Sequence, residues 1–397
     1  MERGGGGMRM DAIERQPLRV AVVAPILLQR DAISLAVRDT MRILSKDAGF
    51  EAIHLGHACE YPEIAHRQRN TSGELLLDPV YYTADAAIFH FGIYHGLFDA
   101  LLGGGPRVKI VRFHNVTPLH LVRQADRPVI ERSLRQIEIL RRADEIWADS
   151  PSNAQYLLDR GFEHDKIRVI PLVVEDPIPS KLSQKAKDRI SVLFVGRIAP
   201  SKGIHDLINA VACAPALQSM LRVTIAGNTH WSDPAYIREL QSLIEKHHLK
   251  PVISFTGTID DTERDRLFGE AHIVAIPSYH EGFCRPVAEG FRAGCVPLVY
   301  DAYNLPHIAN RLGRIVPTGD VEGLTAALSE LVSAQVHGMA SPDEPVLPLD
   351  RGRTSVHEFD QLAQEWAQEF TMERIASQTH DRLLQLTAGR TLQATDF

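Results

Sequence analysis

Short runs of apolar, mostly β-branched residues alternate along this chain with longer stretches in which apolar residues recur every three or four positions. The short runs read as buried strands and the longer ones as amphipathic helices, a rhythm that builds parallel sheets covered by helices on both faces. In the first half, strands are expected at Arg19–Ala24, Glu51–Leu55, Ala86–Phe91, Lys109–Phe113, Glu145–Ala148 and Ile167–Ile170. A helix is expected over Ser34–Ala48, with Leu35, Val37, Met41 and Leu44 on its apolar face and Gly49 just past its end. The pattern lapses after Pro171 into further prolines and a lysine-rich polar run, then resumes with strands at Ile190–Val195, Arg222–Ala226, Ile253–Thr256, Ile273–Ile276, Val296–Tyr300 and Arg314–Val316. The fold class is therefore α/β, with two Rossmann-like sheets in series. The boundaries read as a loose tail at 1–16, a first domain at 17–175, a linker at 176–189 and a second domain at 190–358. A helical segment at 359–397 follows, for which packing back on the first domain is an open option. The proline- and acid-rich stretch from Ala340 to Thr354 is expected to be a surface loop.

Composition agrees with two domains. A chain of 397 residues exceeds the roughly 250–300 residues that one core organises. With 44% hydrophobic and 23% charged residues it has the make-up of a soluble globular protein. The apolar run Val20 to Leu28 is broken by Pro25 and falls far short of the roughly 18 residues that span a bilayer. It reads as a strand and not as a secretion signal, so a cytoplasmic protein is expected, with association at the inner face of the membrane left open. Cys59, Cys213, Cys284 and Cys295 are widely spaced and form neither a disulfide framework nor a zinc site. A net charge of −7 argues against a nucleic-acid partner. The six arginines between Arg123 and Arg142, interspersed with Asp126, Glu131 and Glu138, read first as a solvated helix face, with an anionic-acceptor or membrane-surface patch as the alternative.

Two segments of the second half carry candidate chemistry. In Leu193-Phe194-Val195-Gly196-Arg197-Ile198-Ala199-Pro200-Ser201-Lys202-Gly203, a strand ends in glycine and delivers two cations before a helix. Ligands of open α/β sheets bind at the carboxyl ends of strands, and Arg197 can fork onto phosphate oxygens while Lys202 adds a compact charge. In Pro277-Ser278-Tyr279-His280-Glu281-Gly282-Phe283-Cys284-Arg285-Pro286-Val287-Ala288-Glu289-Gly290, a strand end and a turn lead into a helix whose first amides can hold an anion. Two carboxylates there suit sugar and ribose hydroxyls better than a second phosphate.

These two segments resemble the retaining glycosyltransferases of glycosyltransferase family four, which have the GT-B fold of two Rossmann-like domains facing across a cleft. The resemblance covers Ser191 to about Leu328 well and the first half loosely. It implies that Arg197 and Lys202, beside Gly196, contact a donor diphosphate, that Glu289 binds ribose hydroxyls, and that Glu281 lies near the transferred sugar. The backbone of Gly282, Phe283 and Cys284 would approach the sugar or phosphate. In the first half, Val111-Arg112-Phe113-His114-Asn115-Val116-Thr117-Pro118 places His114 just past a strand, where it resembles the family's first-domain histidine facing the donor sugar. His90 and His95 are weaker candidates for the same cleft. None of these makes a metal-ligand spacing, so neither metal nor other cofactor is expected.

Three departures stand out. The loop after the first strand, Pro25 to Ala32, lacks the family's glycines; Cys284 stands where glycine is commoner; and Asn304-Leu305-Pro306-His307 replaces a Gly-Gly-x-Pro-Glu pattern. Arg285 reads as a solvated side chain or, alternatively, a reader of a carboxylated sugar. The resemblance implies transfer of a hexose-type sugar, with retention, from a UDP- or GDP-sugar to a glycan, lipid-linked or small-molecule acceptor, in a polysaccharide or glycolipid pathway. A nucleotide-sugar epimerase or hydrolase, or a catalytically silent nucleotide-sugar-binding regulator, are the competing readings. Base, sugar and acceptor are not legible.

Overall fold

Val20, Val22, Ile88, Phe89, Ile110 and Val111 are fully or almost fully buried, as expected of strands covered on both faces, whose residues have no solvent side to alternate with. In the computed structural model, which describes residues 16–29, 31–175, 177–186, 188–228, 232–340 and 345–388, they belong to a seven-stranded parallel sheet. Its order in space is His66–Gln68, Phe50–Gly56, Leu18–Val23, Ala86–Phe91, Val108–Phe113, Glu145–Ala148, Ile167–Val169. A second parallel sheet has six strands in the order Ile253–Gly257, Leu221–Ala226, Ile190–Val195, Ile273–Ile276, Val296–Tyr300, Arg314–Val316. Each sheet has one switch point where successive strands begin to add on the other side: between Leu18–Val23 and Ala86–Phe91 in the first, and between Ile190–Val195 and Ile273–Ile276 in the second. Crevices open at such points, beyond the carboxyl ends of the strands.

The first helix runs Ala32–Ser45, earlier than its apolar period alone indicated, because the Asp31 carboxylate accepts from the Ser34 amide and caps it. Its end also precedes Gly49, whose amide donates instead to Asp47 in the following turn. In the stretch expected as a loop, Ala340 to Thr354, the structure instead pairs Val346–Leu349 antiparallel with Gly352–Ser355, while positions 341–344 lie outside the described residues. The tail residues 1–15, the loop position 30 and the end of the chain from 389 lie outside the described residues. After the second sheet, the Val356–Ala367 helix holds the segment before that sheet, since Asp360 accepts from the Leu182 and Ser183 amides at 2.7 and 3.2 Å. The Met372–Ala388 helix then returns to the first sheet: Met372, Ile375 and Leu383 join Val20, Ile88 and Trp147 in one apolar cluster, and Arg382 donates to buried Glu145 at 2.8 Å. No helix of the described residues is long and apolar enough to cross a membrane.

Candidate active site

The second sheet's switch point brings the two sequence segments side by side. The Tyr279 amide donates to the Ser201 carbonyl at 2.9 Å, and Gly203 sits at φ 64° against Pro277. A β-carbon on Gly203 would collide with the Pro277 carbonyl oxygen, so only glycine allows this approach. Closeness of the loops in turn places the Lys202 ammonium 2.6 Å from the Glu281 carboxylate, with both side chains largely shielded from solvent. Arg197, on the same loop, is exposed and makes no hydrogen bond or ion pair with a described residue. The Gly196 amide continues the sheet ladder to the Ala226 carbonyl at 3.0 Å.

The turn itself is tightly held. Phe283 packs edge-on against Phe370, and its carbonyl accepts from the Asn304 side chain at 2.8 Å, so it presents backbone and not its ring to the site. Cys284 adopts φ 75°, the left-handed conformation that favours glycine, immediately before the Arg285–Arg292 helix. Its thiol is buried, and burial holds it well above the usual thiol range, so it is a packed, neutral group. Glu289, one turn into that helix, is buried, with Arg285 Nε 3.9 Å from its carboxylate. Burial also pushes the His280 imidazole down to about 4, with Glu281 opposing that shift, so His280 is neutral near pH 7. Its ring lies edge-on to Tyr303 with centroids 4.4 Å apart.

Across from this turn stands the carboxyl edge of the first sheet. His114 Nδ1 lies 2.6 Å from one oxygen of Asp149, whose other oxygen accepts from Arg112 Nε at 3.0 Å. With the carboxylate shared by a guanidinium, His114 Nδ1 carries the proton and donates. His114 Nε2 in turn lies 3.0 Å from Nδ1 of His90, which burial, reinforced by the neighbouring His114, holds well below the ordinary imidazole range. His90 is thus a buttress behind His114. His95 does something else: its Nδ1 accepts from the Leu97 amide and caps the Gly96–Leu102 turn.

The two domains meet at Gly282. The Ser150 hydroxyl donates to the Gly282 carbonyl at 2.5 Å, and a β-carbon on Gly282 would lie 2.9 Å from the His114 carbonyl oxygen. Asn115, at φ 69°, turns the chain there and donates to Asn153, whose amide nitrogen reaches back to the Phe113 carbonyl. Gly282 thus joins the strand ends carrying His114 and Ser150 to the turn in which Glu281, its chain neighbour, holds Lys202. Sequence reasoning missed Asp149, Ser150 and Asn153, although Ala148-Asp149-Ser150 follows a strand end just as His114 does. The arginine-rich segment lies largely in the Arg127–Gln136 helix and its flanks, where Arg123 and Arg141 pair with Asp126 and Glu138 at 2.8 Å and Arg132 covers the Tyr94 ring. Arg285 is not the solvated side chain expected: it is largely shielded, and its Nη1 donates to Asp39 at 3.2 Å.

Residues 178–341 match the family described as glycosyl transferases group 1. The O-antigen chain mannosyltransferase B of Escherichia coli is 25% identical over 34% of this chain and 34% of its own length. A D-inositol 3-phosphate glycosyltransferase of Kineococcus radiotolerans is 27% identical over 46% of this chain and 43% of its own. The chain thus spans less than half the length of these relatives. Among solved structures, the sucrose-phosphate synthase of Thermosynechococcus elongatus superposes with a TM-score of 0.67 at 18% identity, covering 95% of this chain and 100% of that one. Anabaena Alr3699/HepE in complex with UDP gives 0.68 at 16% identity, covering 93% and 100%. Both share the arrangement of two Rossmann-like domains facing across a cleft, the GT-B fold.

Proposed function

We propose that this chain, whose residues 178–341 match the glycosyl transferases group 1 family, moves a hexose-type sugar from a nucleoside-diphosphate sugar to an acceptor with retention of configuration. The observation that carries the reading is the junction itself. An uncommitted guanidinium, the Lys202–Glu281 pair and the first amides of the Arg285–Arg292 helix converge at the second sheet's switch point, facing a histidine fixed by the first domain. In the reaction, the bond between the sugar's anomeric carbon and the β-phosphate oxygen breaks, and a bond to the acceptor oxygen forms. The acceptor proton passes to the departing phosphate. Negative charge grows on that phosphate, and preorganised donors act most strongly where charge grows. Arg197, Lys202 and the helix amides meet it without a metal, Glu289 takes the ribose hydroxyls, and Glu281 the sugar.

A panel of UDP-, GDP- and ADP-sugars in a thermal-shift assay tests this directly. The true donor binds only the folded state and is expected to raise the melting temperature, by an amount equivalent to about 2.7 kcal/mol when present at 100 times its Kd. NMR of the product then reads the linkage, and an inverted anomer, or donor consumption indifferent to every acceptor, contradicts the proposal.

The contact at Gly282 supplies a second test. In Gly282→Ala the new methyl group pushes against the His114 carbonyl oxygen by a few tenths of an ångström. Misplacement of 1 Å costs on the order of 10²-fold, so turnover is expected to fall about tenfold with nucleotide affinity little changed. Unchanged turnover would show that the two domains need not touch there during transfer.

A further inference from the structure

Arg285 connects two groups that belong to different domains. It opens the Arg285–Arg292 helix, and Glu289 follows one turn later on the same face, with Arg285 Nε 3.9 Å from the Glu289 carboxylate. Its Nη1 lies 3.2 Å from the carboxylate of Asp39, which is 246 positions away on the Ala32–Ser45 helix of the first domain. All three side chains are largely shielded, at 13, 5 and 10% exposure for Arg285, Asp39 and Glu289. The Ala32–Ser45 helix follows directly on the unusual loop after the first strand, and it already leans on the second domain, because Ala36 joins that domain's apolar core. Ala36 and Asp39 are three positions apart and so share a face.

The charge around Asp39 is more than neutralisation requires. Arg38 and Arg42 approach the same carboxylate at 3.5 and 3.6 Å, and Arg42 continues to Glu175, at the crossing between the domains, at 3.3 Å. Asp39 would be compensated without Arg285. What Arg285 adds is a link from that carboxylate to Glu289.

We propose that Arg285 is a positioning residue that couples donor binding to closure of the first domain, through Asp39 on one side and Glu289 on the other. The proposal rests on the reading of Glu289 as the group that takes the donor's ribose. Asp39, at 3.2 Å against 3.9 Å for Glu289, is already the nearer anionic partner of Arg285, and when ribose hydroxyls occupy the Glu289 carboxylate the competing pull weakens further, so the closed arrangement is favoured. Planarity matters here: a guanidinium can serve two carboxylates at once, whereas a lysine ammonium is a single point charge.

The test uses the full chain and the variants Arg285→Ala, Arg285→Lys and Asp39→Asn, each checked for folding by its melting temperature. Four quantities are read: affinity for free UDP or GDP, turnover, the fraction of donor hydrolysed instead of transferred, and the radius of gyration from solution scattering. Arg285→Ala and Asp39→Asn are expected to lower turnover on the order of 10²-fold, the scale of a misplaced reacting group. Both are expected to raise the hydrolysed fraction and the radius of gyration. Asp39→Asn, which leaves the donor pocket intact, should nevertheless weaken free-nucleotide binding several-fold, because a contact that lets the donor favour closure must by linkage let closure favour the donor by the same factor. Arg285→Lys should fall between wild type and Arg285→Ala. The double variant should be no worse than the poorer single one, as residues acting through one contact are non-additive. Turnover and scattering both at wild-type values in the single variants, or a double variant equal to the product of the singles, overturn the proposal. Failure of the wild-type protein to bind any nucleotide sugar overturns the functional reading instead, and the scattering difference still reports on the latch.

Discussion

Lys202→Ala and Arg197→Ala are each expected to reduce turnover by roughly 10²–10³-fold, the usual result of removing one preorganised donor from a site of growing charge. The two should differ in how the loss divides. Lys202 is already paired with Glu281 at 2.6 Å, so in the empty site its charge is compensated. A diphosphate has to share it, and its benefit rises as the phosphate gains charge. Its loss should therefore appear mainly in kcat. Arg197 is exposed and has no partner among the described residues, so it is available to the ground-state diphosphate as well. Its removal should lower kcat and raise the donor KM together. Steady-state rates with the donor found by thermal shift decide between these patterns. Near-normal turnover in both variants would sink the assignment of this loop to the leaving group. Arg197→Ala breaks no hydrogen bond or ion pair with a described residue, so its melting temperature is expected to stay near that of the wild type.

Much of this architecture was readable because burial leaves a strong signature. The strands at Ala86–Phe91, Glu145–Ala148, Ile190–Val195, Ile273–Ile276, Val296–Tyr300 and Arg314–Val316 match their sequence-derived bounds, and the other expected strands match to within a residue at each end, since covered parallel strands are continuous apolar runs. The edge strand His66–Gln68 was not legible: it is short and polar, and its place depends on pairing with Phe50–Gly56. The hairpin at 346–355 was hidden by prolines and charges that resemble a loop. At the site, the useful signal was a polar residue just past a strand end. It marked Arg197, Glu281 and His114, and applied evenly it would also have marked Asp149 and Ser150. Partnerships are another matter. That His90 supports His114 while His95 caps a turn depends on where each ring points, and the pairing of Arg285 with Asp39 spans two domains. Residue types show which interactions are available, and only the folded chain decides among them.

Asp149→Ala should show the opposite separation, a large loss of stability. The Asp149 carboxylate is 3% exposed and the Arg112 side chain 4%, and they meet at 3.0 Å. Removing the acid strands a guanidinium inside the sheet edge, and breaking a buried pair from one side typically costs about 3–5 kcal/mol. Arg112 cannot turn to water to recover, because its Nη2 also donates to the Ile170 and Pro171 carbonyls at 3.0 and 2.7 Å, where the chain leaves the first sheet. His114 loses its Nδ1 acceptor in the same change. Asp149→Asn offers the informative contrast: its amide oxygen can still accept from one neighbour, so it should recover part of the stability, but it cannot serve both Arg112 and His114 as an anion. Urea unfolding followed by circular dichroism, with the slopes compared between variants, measures the difference. A loss below about 1 kcal/mol for Asp149→Ala would match a pair that water reaches, the usual case for exposed ion pairs, and His114 would then lack a rigid support. A loss near the upper figure, with donor affinity retained in the folded fraction, would mark Asp149 as the anchor that lets the first domain present His114 to the second at a fixed height.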